Sequence, residues 1–272
     1  MGTSHCSALT FDMDLIREKK LFIMDMDGTI YLSDNVIEGA VEFVDRVRSA
    51  GAKVVFFTNN ASKNPDLYIE KLTRMGFSAK REDIITSGDV TIDFLLKNRK
   101  GKKVYLVGTP ALHDAFCKAG IVPVCEKEEA DIVVSSFDTT LTYAKLENAC
   151  NLIRKGAEFL STHEDINCPT SDGFIPDSAA ICALITLSTG VSPRYFGKPQ
   201  LETVEYIEAY TGISRKDSVI VGDRLYTDIA IGKKHGITAA FVLSGEGTME
   251  DVERLPDNMK PDIIFNSVDD IR

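Results

Sequence analysis

Short apolar runs recur along the chain and alternate with longer stretches whose apolar side chains return every three to four positions. The runs are Leu21-Phe22-Ile23-Met24, Val54-Val55-Phe56-Phe57, Ile84-Ile85, Val104-Tyr105-Leu106-Val107 and Ile132-Val133-Val134 in the first half. Phe159-Leu160, Val219-Ile220-Val221, Ala240-Phe241-Val242-Leu243 and Ile263-Ile264-Phe265 follow. Unbroken apolar runs of this length predict strands buried on both faces, as in parallel sheets. The intervening stretches carry helix end signals. Asn64-Pro65, Thr109-Pro110 and Ser178 open helices, and Gly76, Gly120 and Gly190 close them. Gly51, Gly156, Gly212 and Gly236 close others. A polar cap, proline in the first turn and glycine past the end answer the unpaired groups at helix termini. The alternation predicts an α/β chain with a doubly wound, Rossmann-like parallel sheet.

The first three and the last three runs end abruptly in polar or glycine residues, and ligands of open α/β sheets bind beyond such carboxyl ends. The middle third has βα units of its own with few such ends. The expected organisation is a core of residues 20–84 and 191–272, an inserted α/β domain at 85–190, and an extension at 1–19.

Composition narrows the function. Among 272 residues, 44% are hydrophobic and 26% charged, an ordinary globular balance. No apolar run approaches the roughly 20 residues that cross a bilayer, so no membrane association is expected. The first twenty residues hold Asp12, Asp14 and Glu18 and lack a basic-then-apolar leader, which predicts a cytoplasmic protein. A net charge of −10 argues against nucleic acid as partner. It leaves room for a small phosphorylated molecule, because a few local donors or a metal suffice for an anion. The cysteines at 6, 117, 125, 150, 168 and 182 form no Cys-x-x-Cys pair. This is neither zinc spacing nor a disulfide framework, and most are expected as buried thiols.

Four constellations carry candidate chemistry. Asp25 and Asp27 follow the first strand and precede Gly28-Thr29. Residues two apart on a strand face one side, so both acids can address one site, and paired carboxylates require a cation or a shared proton. Asp12-Met13-Asp14 has the same spacing without the strand or the Gly-Thr, and is assigned no function. Thr58-Asn59-Asn60 follows the second strand; its hydroxyl and amides can grip phosphate oxygens or merely cap a turn. Lys198, between Gly197 and Pro199, can be a fixed positive charge for phosphate or an exposed lysine. Asp223 and Asp228 follow Val219-Ile220-Val221-Gly222. Asp223 can bind a metal, while Asp228 can orient the site or stabilise the first turn of a helix.

In this order, the motifs Asp25-Met26-Asp27-Gly28-Thr29, Thr58, Lys198 and Gly222-Asp223…Asp228 resemble the phosphatases of the haloacid dehalogenase (HAD) superfamily. The wording Phe57-Thr58-Asn59-Asn60, Gly197-Lys198-Pro199 and Gly222-Asp223-Arg224-Leu225-Tyr226-Thr227-Asp228 is similar to the NagD-like branch. The resemblance implies a HAD-type core with an inserted α/β cap that selects the leaving group. It implies Asp25 as nucleophile and Asp27 as general acid and base. It further implies Mg²⁺ held by Asp25, Asp27, Asp223 and Asp228, and phosphate oxygens held by Thr58, Asn59, Asn60 and Lys198. In the cap, residues 163–169 and 172–178 are expected as loops rather than core. Asn167, Cys168 and Asp177 are the candidates there for substrate specificity. A monomer or homodimer is expected.

Two other readings use the same residues. A phospho-receiver also gathers acids, a threonine and a lysine at strand ends, although the second acid Asp27 and the long insertion speak against it. A mutase would keep the site and replace water by another acceptor. A dinucleotide-binding dehydrogenase is set aside, because no Gly-x-Gly-x-x-Gly follows the first strand.

Overall fold

The computed structural model describes residues 14–170 and 173–271. Cys6, Asp12 of the Asp12-Met13-Asp14 pair and Asp172 therefore lie outside the described residues, while Asp14 opens a short helix, Asp14–Arg17. In chain order the strands are β1 (Leu21–Met24), β2 (Tyr31–Leu32), β3 (Asn35–Val36), β4 (Lys53–Thr58) and β5 (Ile84–Thr86). Next come β6 (Val104–Val107), β7 (Ile132–Ser135), β8 (Glu158–Ser161), β9 (Asn167–Thr170) and β10 (Gly173–Pro176). The last four are β11 (Arg194–Tyr195), β12 (Ser218–Gly222), β13 (Thr238–Val242) and β14 (Ile263–Phe265). All nine strands expected from apolar runs are present. A six-stranded sheet has the order β14-β13-β12-β1-β4-β5, and a four-stranded sheet the order β11-β8-β7-β6.

The chain divides into two compact units, one running to Val54 and resuming at Ser214, the other spanning Val55–Ile213. In the first unit, β1 pairs in parallel with β12 from Leu21↔Ser218 to Met24↔Val221, and β12 pairs in parallel with β13. Every residue of β1 and β12 is buried, which is why both read as unbroken apolar runs. Beyond β1 the ladder continues for one bond, Asp25 N–H to Val221 O at 2.9 Å. Residues 25 and 223 thus leave neighbouring strands at the same end of the sheet.

The second unit holds the parallel pair β4–β5 (Phe56↔Ile84, Thr58↔Thr86) and the four-stranded sheet, whose pairs are all parallel. The four-stranded sheet packs on helices Tyr143–Arg154 and Ser178–Thr189 through Val133, Phe159, Leu152, Ile153, Ile181 and Ile185. Each such side chain contributes about 1.5–3 kcal/mol of burial. The predicted caps Asn64 and Thr109 are made, accepting from the amides of Leu67 and Leu112, and Thr142 accepts from the Lys145 amide in the same way without having been signalled. Thr86 and Asp89 form a reciprocal capping box at the start of Ser87–Asn98.

Two expectations change. The segments at 163–169 and 172–178 are not simple loops: Asn167–Thr170 and Gly173–Pro176 form an antiparallel hairpin, and His163, Asp165 and Asp177 are buried. Their polarity is tolerated inside because each finds partners, described below. Of the five described cysteines only Cys150 and Cys182 are buried; Cys117 and Cys168 are half-buried and Cys125 is exposed. Among the described residues no helix is long and apolar enough to cross a membrane.

Candidate active site

In the first unit, oxygens of the Asp25, Asp223 and Asp228 carboxylates lie within 4.8 Å of one another. Asp25 is half-buried; Asp223 and Asp228 are buried. Asp25 and Asp223 leave the carboxyl ends of the paired strands β1 and β12, and the carboxyl ends of strands are where open α/β sheets take ligands.

Each acid is fixed by its neighbours. Asp223 Oδ1 accepts from the Thr29 hydroxyl at 3.4 Å and Oδ2 from the Glu246 amide at 2.7 Å. Gly28 stands at φ +89°, in the left-handed region, and a Cβ there would collide with the Asp223 carboxylate. A Cβ at Gly245 would collide with the same carboxylate. Ser244 Oγ donates to Gly28 O at 2.8 Å and joins the two glycine segments. Asp228 Oδ2 accepts from the Arg224 amide at 3.2 Å. The intervening residues Leu225–Ile229 form a wide helical turn, with Ile229 N–H reaching Arg224 O. Arg224 Nε lies 3.0 Å from Glu246 Oε2, the structural ion pair its position allows.

Burial, then the negative charges of Asp25 and Asp228, push the Asp223 carboxyl up to about 8. The three clustered carboxylates of Asp25, Asp223 and Asp228 offer a set of hard oxygen ligands that fits a small divalent cation, while the Glu246 amide and the Thr29 hydroxyl orient Asp223. Asp27 is half-buried; its backbone bridges to Tyr31, and its side chain is not part of the three-carboxylate group.

In the second unit Thr58, Asn59 and Lys198 are all buried, Lys198 with only 2% of its surface exposed. A lysine that deep is not a surface charge. Its Nζ lies 3.4 Å from Phe57 O and 5.1 Å from the centre of the Phe57 ring. The Asn59 side chain clamps its backbone in both directions. Asn59 Oδ1 accepts from Lys198 N–H at 2.8 Å, and Nδ2 donates to Lys198 O at 3.0 Å and to Asp165 Oδ1 at 3.1 Å. Thr58 Oγ1 accepts from the Asn60 amide at 3.1 Å. Asn60 holds Ser62 through its Oδ1, and its Nδ2 lies 4.0 Å from Cys168 Sγ on β9. Thr58, Asn59, Asn60, Lys198 and Cys168 therefore come together, whereas Asn167 is exposed on the hairpin. Asp177, the third candidate for substrate specificity, is buried, and its Oδ1 is 2.7 Å from His163 Nε2.

Ser244, Gly245 and Glu246, which seat Asp223, lie outside the four motifs. Their signal in the sequence is an abrupt polar and glycine ending after β13, the same style that marks β1 and β12.

Known proteins resemble the chain over most of its length. A family model for haloacid dehalogenase-like hydrolases matches residues 22–122, and a HAD-hydrolase-like model matches 195–271. An acid sugar phosphatase of Staphylococcus aureus is 34% identical over 255 residues, covering 94% of this chain and 97% of that one. The crystal structure of a 4-nitrophenylphosphatase from Thermotoga maritima is 41% identical with a TM-score of 0.89, covering 94% and 97% of the two chains. That of a glycerol phosphate phosphatase from Mycobacterium tuberculosis, in complex with magnesium, is 29% identical with a TM-score of 0.88, covering 95% and 78%. With identity of this order sustained across nearly the whole sequence, the chain belongs to the haloacid dehalogenase-like hydrolases and is a phosphatase of their NagD-like branch.

Proposed function

We propose that this phosphatase is a Mg²⁺-dependent phosphomonoesterase that hydrolyses a small phosphorylated metabolite, such as a nucleotide, sugar or polyol phosphate, through a phosphorylated Asp25. The observation that carries the reading is the convergence of the Asp25, Asp223 and Asp228 carboxylates at the ends of two paired strands. Asp25, Asp223 and Asp228, with the Asp27 backbone carbonyl, would hold the cation. When bound, it supplies the positive charge that lets an anionic nucleophile approach an anionic phosphate. The magnesium complex of the mycobacterial relative supports this choice of ion.

The chemistry assigned to the chain's own residues has two halves. An Asp25 oxygen forms a bond to phosphorus while the ester P–O bond breaks, and Asp27 gives its proton to the departing oxygen. Asp27 then takes a proton from water as that water's oxygen attacks the phosphorus. The Asp25–phosphate bond breaks, inorganic phosphate leaves and both acids are restored. Such acid–base assistance is worth about 10²–10⁴-fold. Thr58, Asn60, the Asn59 amide and Lys198 are assigned the remaining phosphoryl oxygens. Residues 85–190 are assigned as the cap that selects the leaving group, with 20–84 and 191–272 as the catalytic core. The acid sugar and glycerol phosphate phosphatases among the relatives favour small polar esters.

The test is phosphate release from 4-nitrophenyl phosphate with and without Mg²⁺, for wild type and Asp25→Asn. Wild type turns over only with the metal, and the variant loses at least about a thousandfold in kcat, as for loss of a covalent nucleophile. Full activity in Asp25→Asn sinks the nucleophile assignment.

A further inference from the structure

His163 lies just after β8 and Asp177 just before helix Ser178–Thr189, so the two bracket the β9–β10 hairpin. Both are buried, His163 completely. An imidazole nitrogen facing a carboxylate at 2.7 Å must carry a proton, so His163 Nε2–H donates to Asp177 Oδ1. The other ring nitrogen is held as well: Nδ1 lies 2.9 Å from Thr162 Oγ1 and 3.5 Å from Ser87 Oγ.

The neighbourhood gives the pair a position between two parts of the second unit. On one side is the base of the hairpin. Asp177 N–H donates to Ile166 O at 2.8 Å, Ala179 N–H donates to Asp165 O at 2.9 Å, and the Asp177 carboxylate caps Ser178. On the other side is the polar loop after β4. Ser87 Oγ donates to Asn59 O at 2.5 Å, and Asn59 Nδ2 donates to Asp165 Oδ1. The hairpin itself carries Phe174, 68% exposed, and Ile175, and Ile166 at its foot is 65% exposed. Apolar side chains left this open on a two-stranded ribbon gain nothing for folding, and a ribbon of two short strands does not hold its place alone.

We propose that His163 and Asp177 are positioning residues: their buried hydrogen bond pins the foot of the β9–β10 hairpin, and through it sets the hairpin's contact with the leaving group of the phosphate ester. Neither touches substrate. The proposal rests on the phosphatase reading above and adds to it a division between two sets of residues. The Asn59–Lys198 clamp governs the phosphoryl group, and the His163–Asp177 pin governs what is attached to it.

That division is testable because inorganic phosphate has no leaving group. The variants are Asp177→Asn, His163→Gln and His163→Asn. Glutamine can return a donor to the Nε2 position, whereas asparagine reaches only toward Nδ1. Steady-state kinetics with 4-nitrophenyl phosphate and with glycerol phosphate, competitive inhibition by inorganic phosphate, and amide hydrogen exchange would be measured on each folded protein. Loss of a hydrogen bond to a charged group predicts that KM for both esters rises about tenfold in Asp177→Asn and His163→Asn. kcat and the phosphate inhibition constant should stay within about threefold, and His163→Gln should recover most of KM. Amides of residues 166–176 exchange faster while those of β7 and β8 do not. The proposal is overturned if KM is unchanged and only kcat falls with thermal stability, which is a purely structural role. It is equally overturned if the phosphate inhibition constant rises in step with KM. Should wild type fail to hydrolyse either ester, the phosphatase reading itself is at fault rather than the pin.

Discussion

Replacing Asn59 by aspartate changes almost nothing in shape and inverts one hydrogen-bonding role. In the native protein Nδ2 donates to two oxygens, Lys198 O at 3.0 Å and Asp165 Oδ1 at 3.1 Å, while Oδ1 accepts from Lys198 N–H. Asn59→Asp keeps the acceptor and turns the donor into a third oxygen facing the other two. Two unit charges 3.1 Å apart repel by about 5 kcal/mol at an effective dielectric constant of about 20. Each lost donor adds about 1–3 kcal/mol because its partner stays buried. Protonation of the introduced carboxylate limits the total, since a neutral acid donates again. Holding that proton costs about 1.4 kcal/mol per pH unit above the ordinary carboxyl value near 4. The sign follows: the folded variant keeps a proton that the unfolded chain has released, so its stability falls as pH rises above about 4. The deficit relative to wild type should therefore be about 1–2 kcal/mol at pH 5 and grow by about 4 kcal/mol by pH 8. For a chain of this size that growth is about 10 °C in Tm. Thermal melts of both proteins across pH 5–8 measure it. A deficit that stays constant with pH refutes the assigned orientation of the Asn59 amide, and with it the view that Asn59 anchors Lys198.

Two further outcomes follow from the carboxylate cluster. Asp223, pushed up to about 8 from an unfolded value near 3.8, retains a proton in the metal-free fold; the stability this gives is complete below about pH 4 and is lost as pH rises through about 8. Melts without metal should therefore decline over that window, and the Tm gain from saturating Mg²⁺ should be larger at pH 8 than at pH 5; a gain that shrinks with pH contradicts the assigned site. Gly245→Ala presses a methyl group against the Asp223 carboxylate. The Mg²⁺ concentration giving half-maximal activity should rise about tenfold, corresponding to about 1.4 kcal/mol; unchanged metal activation would show that Gly245 does not seat Asp223.

Much of the fold was legible because a strand buried on both faces needs an unbroken apolar run, and nine such runs became nine strands. The five remaining strands, β2, β3, β9, β10 and β11, have two to four residues and several exposed positions, too short for either alternation or an apolar run to register. Residues 163–178 misled for a different reason. His163, Asp165 and Asp177 suggest exposure by type, yet the His163–Asp177 bond and the bond from Asn59 to Asp165 offset the cost of burying them, and no local pattern announces partners 14 or 106 residues apart. Asp25, Asp223 and Asp228 were visible because each follows a strand in its expected order. The structural use of the Asn59 side chain was not, since an asparagine after a strand looks the same whether its amide caps a turn or clamps a distant lysine.

The Ser244–Gly28 bond that closes the seat of Asp223 joins residues 216 apart in the chain. Contacts of such span form slowly, because the intervening polypeptide must already be ordered when they close. A chain refolding from denaturant should regain its helices and its apolar core before it can hold a cation. Catalytic competence would then be the last property to return. A nascent or clipped chain lacking the stretch after β13 would carry Asp25, the proposed nucleophile, without the bond that closes the seat of Asp223, a built-in delay between possessing Asp25 and completing the carboxylate cluster around it.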